Sequence, residues 1–320
     1  MKRAKAVFLD HKTVDLGDLD LTTLKETPYD WHFYPKGDAQ QTLERIQGAE
    51  VAITNKVVLD RQLLSQAPDL KLICIIATGT NNVDLEAAAK LGIAVTNVTA
   101  YGTSSVVQHV FSLILALTTR LNEYQAAVER GDWQRSDMFC LLDFPIREIS
   151  GKTLGIVGYG ELGRATGRIA EAFGMKLSIA QRPGGKTQAG RIPLKEMLPQ
   201  VDILSLHCPL TNATKNLIGK EELALMRSDA LLINTARGGI VNEQALVEAL
   251  RQGRLGGAGF DVLTQEPPAN DNPLLQQDIP RLILTPHNAW GSRESRQRLV
   301  DSVVENITAY RYGEKRNRVV

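Results

Sequence analysis

Short apolar segments alternate along this 320-residue chain with stretches that can form helices. This alternation is typical of parallel α/β sheets, in which a crossover helix connects each strand to the next. The segments fall into two sets. Five predicted strands lie near residues 5–9, 31–34, 49–54, 72–77 and 93–96, and six lie near 153–158, 176–181, 201–206, 230–235, 257–261 and 282–285.

The two sets predict an α/β fold with two doubly wound domains, since one open sheet of eleven strands would be unusually large. Between the sets, residues 103–130 are predicted to form one long helix. Gln108 and His109 interrupt its apolar pattern, so we expect it to be amphipathic or buried. Another helix is predicted over Ser295–Tyr310, with a charged and frayed end after Gly313.

Composition excludes several classes of protein. The 37 lysines and arginines nearly cancel the 36 aspartates and glutamates, which argues against a basic nucleic-acid-binding protein. Cys74, Cys140 and Cys208 lie far apart, which argues against a disulfide framework or a metal site. No apolar run approaches the roughly 18 residues of a membrane helix, and the N-terminal run is too short for a signal peptide. We therefore expect a soluble, cytoplasmic protein without a metal, nucleic-acid or membrane partner.

A glycine-rich turn follows the first strand of the second set. Gly158, Gly160 and Gly163 form the pattern G-x-G-x-x-G, with Glu161 and Leu162 between them. The first glycine permits the tight turn, the second lets the backbone approach a pyrophosphate, and the third allows close packing of helix on strand. The pattern alone is weak, but strand, glycines, helix and strand follow in this order within about 30 residues. The sequence therefore predicts a dinucleotide site.

The end of the following strand bears on the choice between NAD and NADP. An acid at this place binds the ribose 2′-hydroxyl of NAD, but this strand ends in Gln181 and Arg182, with no carboxylate before Glu196. Arginine can bind a 2′-phosphate. We therefore expect NADP or dual use. The alternative is that Arg182 points into solvent and the site takes NAD less selectively.

The last three predicted strands each lead into polar side chains. Arg237 follows the first of them, Asp261 and Glu266 the second, and His287 the third. Carboxyl ends of parallel strands meet at one edge, so these groups are expected to gather beside the dinucleotide. Arginine can bind and polarise a 2-oxo acid, histidine can exchange a proton, and a carboxylate can orient the imidazole. Each alone could be structural, but together they indicate hydride transfer at a 2-oxo acid.

Six motifs spread over nearly the whole chain indicate a family. They are Ala77-Thr-Gly-Thr-Asn-Asn-Val-Asp84, Gly158 to Gly163, His207-Cys-Pro-Leu-Thr, Asn234-Thr-Ala-Arg-Gly-Gly239, Gly259-Phe-Asp-Val262 with Glu266-Pro267, and Pro286-His-Asn-Ala-Trp290. With these motifs the chain resembles the D-isomer-specific 2-hydroxyacid dehydrogenase family. Within the family it is most similar to the glycerate dehydrogenase (hydroxypyruvate reductase) branch.

The resemblance implies an activity and its residues. The activity is reversible reduction of hydroxypyruvate or glyoxylate to D-glycerate or glycolate by NAD(P)H. Arg237, Glu266 and His287 would be catalytic, and the N–H groups of Thr78 and Gly79 would bind the substrate carboxylate. The residues expected to bind the cofactor are Gly158, Gly160, Glu161, Leu162, Gly163, Gln181, Arg182, His207, Cys208, Pro209, Thr214, Thr235, Ala236 and Asp261. Of these, Asp261 would hydrogen-bond the nicotinamide carboxamide.

The resemblance also implies how the domains are arranged. A flavodoxin-like substrate domain would comprise residues 1–99 and 288–320, with a Rossmann NAD(P)-binding domain of residues 100–287 inserted in it. The chain would form a homodimer through residues 100–150, and the cleft between the domains would close over the substrate.

Several residues and functions have a second interpretation. Lys56 and Trp290 could sense the C3 group of the substrate, or be a solvated lysine and a packing tryptophan. Trp133 is expected to be a dimer or packing anchor, and His109 a buried, hydrogen-bonded histidine rather than an acid–base group. The substrate could be a bulkier 2-oxo acid, and a dinucleotide-sensing regulatory protein of the same family is the alternative outside catalysis. Formate oxidation is less favoured, because that relative has glutamine in place of Glu266.

Overall fold

The computed structural model describes residues 3–37, 39–182, 185 and 188–320. The chain divides into two compact units, each with its own parallel sheet. Unit 1 comprises Met1–Gly102 and Trp290–Val320, and unit 2 comprises Thr103–Ala289. The predicted α/β fold with two sheets is confirmed, and the alternative of a single eleven-stranded sheet is wrong.

All eleven predicted strands are present, within two residues of the predicted bounds. They are β1 (Ala4–Phe8), β2 (Tyr29–Phe33), β3 (Ala49–Thr54), β4 (Leu72–Ile75), β5 (Ala94–Thr96), β6 (Thr153–Val157), β7 (Lys176–Ile179), β8 (Ile203–Leu206), β9 (Leu231–Asn234), β10 (Gly257–Phe260) and β11 (Leu282–Leu284). The inner strands β4, β8, β9 and β10 are buried along their whole length. This explains their continuous apolar runs, because crossover helices cover both faces of a parallel sheet.

The helices lie mainly between the strands. They are α1 (Thr22–Glu26), α2 (Ala39–Ile46), α3 (Arg61–Ser65), α4 (Leu85–Lys90), α5 (Thr103–Thr119), α6 (Leu121–Glu129), α7 (Glu161–Ala172), α8 (Leu194–Met197), α9 (Lys220–Leu225), α10 (Glu243–Arg251) and α11 (Arg293–Arg311). Short 3-10 helices cover His11–Thr13, Leu198–Gln200 and Pro273–Leu275.

The sheet of unit 1 has the strand order β2-β1-β3-β4-β5, which is the flavodoxin-like arrangement. Helix α11 packs Leu299, Val300 and Ile307 against one face of this sheet. The frayed end expected after Gly313 is wrong. Beyond α11 the chain returns to β5, where the Val319 N–H donates to the Val95 carbonyl at 2.8 Å.

The sheet of unit 2 has the strand order β11-β10-β9-β8-β6-β7. An isolated parallel bridge between Ala180 and Ile192 extends it beyond β7. With that bridge the first strands have the Rossmann order, in which the direction of winding reverses at β6. The glycine turn follows β6, so it lies at the switch point where dinucleotides bind in such sheets.

The single helix predicted over residues 103–130 is wrong, because the structure divides it into α5 and α6. Arg120 lies between the two helices with a left-handed backbone (φ 59°), and its Nε pairs with Oε1 of Glu123 at 3.0 Å. Within the described residues no single helix is long and apolar enough to cross a membrane. Among the described helices, α5 and α6 taken together, with a bend of 61° between them, have the length and composition of a membrane span.

Candidate active site

The glycine turn after β6 leaves no space for side chains at two of its three glycines. Gly158 has a φ of 93°, and a Cβ there would lie 2.6 Å from the backbone nitrogen of Cys208. A Cβ on Gly163 would lie 2.2 Å from the carbonyl oxygen of Gly158. At Gly160, no described atom beyond the glycine and its two chain neighbours lies within 4 Å of the Cβ position. The turn is therefore packed on its protein side and open where a ligand would approach.

The surroundings of this turn fit a dinucleotide. Helix α7 begins after Gly160, and its unpaired N–H groups and positive dipole end suit a pyrophosphate. Nδ1 of His207 and Oγ1 of Thr235 are buried and have no hydrogen-bond partner within the described residues. Burial lowers the pKa of His207 to about 4, so this imidazole is neutral at pH 7. Buried polar atoms are usually paired, so these two atoms suit a bound ligand.

The remaining predicted cofactor residues have different environments. Arg182 is exposed just beyond β7, and residues 183, 184, 186 and 187 of the same loop lie outside the described residues. Burial raises the pKa of the Cys208 thiol to about 11. Thr214 is buried, and its hydroxyl donates to the carbonyl of Pro209 at 2.6 Å and accepts from the Thr211 N–H at 2.7 Å. The hydroxyl of Thr214 therefore braces the loop after β8.

The structure brings Glu266 and His287 into contact. Nδ1 of His287 and Oε2 of Glu266 are 2.5 Å apart, and Oε1 of Glu266 accepts the Leu263 N–H at 2.9 Å. The side chain of His287 is 30% exposed and that of Glu266 is 34% exposed. They follow the neighbouring parallel strands β11 and β10, as predicted. A carboxylate in this position orients the imidazole for proton exchange through Nε2.

Asp261 binds residues on both sides of His287. Its buried Oδ1 accepts the Thr285 hydroxyl at 2.6 Å and the Asn288 N–H at 3.0 Å, and Oδ2 accepts the Ala289 N–H at 2.9 Å. His287 itself has a left-handed backbone, with a φ of 52°. Sequence reasoning missed this role. The sequence does offer one sign of it: Thr285, two residues before His287, carries a hydroxyl that can donate to a carboxylate.

His109 of α5 joins the same network. Its Nε2 lies 2.9 Å from Oγ1 of Thr285 and 3.6 Å from Oδ1 of Asp261. Because the Thr285 hydroxyl donates to Asp261, Nε2 of His109 is the donor to Thr285. The expectation that His109 is hydrogen-bonded is confirmed, but its side chain is 20% exposed and therefore only partly buried.

Arg237 is exposed at the same sheet edge, three residues beyond β9, and its Nη1 donates to the carbonyl of Ala236 at 2.7 Å. The next residue, Gly238, is closely packed. A Cβ on Gly238 would lie 1.9 Å from the carbonyl oxygen of Leu263. The turn that carries Arg237 therefore packs directly on the loop that carries Glu266. Sequence reasoning missed this function of Gly238.

Unit 1 carries the predicted substrate residues Thr78 and Gly79 just after β4. The Thr78 hydroxyl donates to the carbonyl of Val98 at 2.9 Å, and Nδ2 of Asn97 donates to the carbonyl of Thr78 at 2.9 Å. The backbone N–H groups of Thr78 and Gly79 have no acceptor within the described part of the chain. Two adjacent N–H groups in a fixed loop suit an anion such as a carboxylate.

Lys56 and Trp290 also lie in unit 1. The buried carboxylate of Asp10 accepts the N–H groups of Lys56 at 2.6 Å and Val57 at 3.1 Å, which fixes the loop after β3. Asp10 was not singled out from the sequence, although it lies only two residues after the end of β1. The ring of Trp290 packs edge-on against Tyr101, with the centroids 6.4 Å apart.

Comparison with known proteins agrees with these features. The family model for the NAD binding domain of D-isomer specific 2-hydroxyacid dehydrogenases matches residues 111–289. Glycerate dehydrogenase of Methylorubrum extorquens is 46% identical over 98% of both chains. Hydroxypyruvate reductase of Blautia hydrogenotrophica is 36% identical over 98% of this chain and 99% of its own.

A solved structure matches over the same extent. Acyclic imino acid reductase Bsp5, in complex with NADPH and D-Arg, has a TM-score of 0.85 at 27% identity, covering 99% of this chain and 100% of its own. Family model, relatives and fold all agree with the motifs. The chain therefore belongs to the D-isomer-specific 2-hydroxyacid dehydrogenase family.

Proposed function

We propose that this protein reduces a small 2-oxo acid, hydroxypyruvate or glyoxylate, to D-glycerate or glycolate, and that the reaction is reversible. The observation that carries the proposal is the hydrogen bond between Glu266 and His287 at the carboxyl edge of the unit 2 sheet. This edge also carries the dinucleotide turn and Arg237. The similarity to a glycerate dehydrogenase and a hydroxypyruvate reductase supports the substrate class.

His287 is the proposed proton donor. The nicotinamide dinucleotide, when bound, supplies the hydride that reaches the 2-carbon of the substrate. Nε2 of His287 delivers the proton to the carbonyl oxygen, which becomes the hydroxyl of the product. Glu266 holds Nδ1, so the ring keeps one orientation and its positive charge is offset before the proton leaves. In the reverse reaction the same nitrogen accepts the proton.

Arg237 is the proposed anchor of the 2-oxo acid. Its guanidinium binds the carboxylate and polarises the carbonyl, because several N–H groups in one plane suit two oxygens at once. The N–H groups of Thr78 and Gly79 are proposed to bind the substrate carboxylate. Lys56 and Trp290 are proposed to sense the C3 group.

NADP or dual cofactor use is proposed. Residues 180–192 contain no carboxylate, and Arg182 is exposed at the end of β7. An acid there would repel a 2′-phosphate, whereas arginine attracts it.

We also propose that the protein is a homodimer. Large apolar side chains are exposed along residues 121–146 of unit 2; they are Leu121, Val128, Trp133, Met138, Phe139, Leu142 and Ile146. Trp133 is 51% exposed, and its Nε1 donates to the carbonyl of Phe139 at 3.0 Å. Several large apolar side chains exposed on one segment favour burial against another protein surface. These residues lie within the segment 100–150, through which the resemblance implies pairing with a second copy.

Initial-rate kinetics test the proposed function. Hydroxypyruvate, glyoxylate and pyruvate are each assayed with NADPH and with NADH. The highest kcat/KM is expected for hydroxypyruvate or glyoxylate with NADPH. Turnover confined to larger 2-oxo acids would contradict the substrate class. Tight dinucleotide binding without turnover of any 2-oxo acid would favour the alternative function, a dinucleotide-sensing regulatory protein.

A further inference from the structure

Arg191 lies over the aromatic ring inside the glycine turn. Its guanidinium carbon is 5.3 Å from the centroid of Tyr159, the residue between Gly158 and Gly160. Nη1 of Arg191 also approaches the carbonyl oxygen of Ala180, just beyond β7, at 3.4 Å. The guanidinium therefore connects the pyrophosphate turn with the carboxyl end of the second Rossmann strand.

The backbone around Arg191 fixes this position. The N–H of the next residue, Ile192, donates to Ile179 at 2.9 Å, and its carbonyl accepts the Gln181 N–H at 2.8 Å. The chain thus returns alongside β7. Arg191 directly precedes Ile192, the residue whose bridge to Ala180 extends the sheet. A Cβ on Gly167 of α7 would lie 3.5 Å from the Tyr159 ring, so the ring lies against that helix.

In the part of the chain that the structure describes, Arg191 has no acidic partner. Within the described residues its side chain contacts an aromatic ring and one carbonyl, and it forms no ion pair. The loop from Ala180 to Ile192 contains the cations Arg182, Lys186 and Arg191 and no acid. An arginine that is already stacked on a ring loses less conformational freedom when it binds an anion.

We propose that Arg191 is a specificity-determining residue for the 2′-phosphate of the cofactor, acting beside Arg182. The adenosine ribose hydroxyls of a dinucleotide lie at the carboxyl end of the second strand of a Rossmann sheet, and that strand is β7 here. This inference rests on the proposed function only in requiring that a nicotinamide dinucleotide binds. It assigns cofactor selectivity to Arg191, which lies outside the G-x-G-x-x-G pattern and stacks on Tyr159 within that pattern.

Binding of two small probes tests this assignment without turnover. Adenosine 2′,5′-bisphosphate and AMP differ by one 2′-phosphate, and calorimetry gives the Kd of each. Arg191→Gln is expected to weaken bisphosphate binding about tenfold or more, since hydrogen bonds to charged groups are strong. AMP binding is expected to stay within about twofold. Tyr159→Leu is expected to weaken bisphosphate binding by a smaller factor, because the guanidinium of Arg191 loses the aromatic ring on which it stacks.

Arg168→Gln is the matched control, because Arg168 is an exposed arginine of α7 and the change in net charge is the same. It is expected to leave both affinities unchanged. Unchanged bisphosphate binding in Arg191→Gln, or an equal loss for both probes, would overturn the assignment. A wild-type protein that binds the bisphosphate no tighter than AMP would also overturn it. Absence of 2-oxo acid turnover, with the expected probe selectivity intact, would overturn only the proposed function.

Discussion

At the residue scale, the central feature is the way His287 is held. A left-handed backbone is unfavourable for a residue with a Cβ and persists only where the surroundings enforce it. Here Asp261 accepts hydrogen bonds from Thr285 before His287 and from Asn288 and Ala289 after it. The carboxylate of Asp261 therefore positions the imidazole through the backbone, while Glu266 orients the ring itself.

Also at this scale, His207 makes stability depend on pH. Burial lowers its pKa in the folded protein from 6.5 to about 4. Between these values the unfolded chain binds a proton that the folded chain does not, so stability falls as the pH drops from about 6.5 toward 4. We expect wild type to lose roughly 2 kcal/mol more than His207→Gln between about pH 7 and pH 4.5. Urea unfolding of the cofactor-free proteins measures this, and equal losses would contradict the expectation.

At the scale of elements, the turn after β9 and the loop after β10 act as one packed piece. Ala at position 238 would force its Cβ to within 1.9 Å of the Leu263 carbonyl oxygen. The backbone must shift, so Gly238→Ala is expected to lower the free energy of unfolding by about 1–3 kcal/mol. It is also expected to lower kcat/KM, because Arg237 and Glu266 lie on the shifted segments. Urea unfolding and initial rates measure both effects.

Gly219→Ala is the control for this substitution. A Cβ at that position meets its nearest atom, a glutamate side-chain oxygen, at an ordinary 3.4 Å. It should change stability by less than about 1 kcal/mol and leave kinetics unaffected. If both variants changed the free energy of unfolding and kcat/KM equally, the close approach at Gly238 would not couple the turn after β9 to the loop after β10.

The strands and the glycine turn could be predicted because their signals are local. Apolar runs, turn residues and G-x-G-x-x-G are visible within short windows of sequence. The break at Arg120 could not be predicted, since no glycine or proline marks it and the apolar pattern continues on both sides. Return of the C-terminus to β5 and the hydrogen bonds of Asp10 and Asp261 depend on residues distant in sequence. Such contacts leave no pattern in a single sequence.

At the scale of the whole molecule, the exposed apolar side chains of residues 121–146 predict the oligomeric state. Phe139 is 88% exposed and Leu142 is 77% exposed. Burial of such side chains against a second copy would stabilise a dimer, so light scattering after size exclusion should give twice the mass of one chain. Phe139→Asp with Leu142→Asp is expected to shift the mass toward one chain.

Leu16→Asp is the control for the dimer, because Leu16 is also 77% exposed but belongs to unit 1 and not to this segment. It should leave the mass unchanged. A monomeric wild type, or a double variant that stays dimeric, would contradict pairing through this segment.

The kinetics of His287→Gln with hydroxypyruvate test the proposed role of the Glu266–His287 pair most directly. Loss of the proton donor is expected to lower kcat at least about 100-fold. The Kd for NADPH should stay within about twofold, since the residues proposed to bind the dinucleotide are unchanged. His32→Gln, at a 44% exposed histidine of unit 1, should keep wild-type kinetics. A kcat of His287→Gln equal to that of wild type would contradict the proposed role of the Glu266–His287 pair.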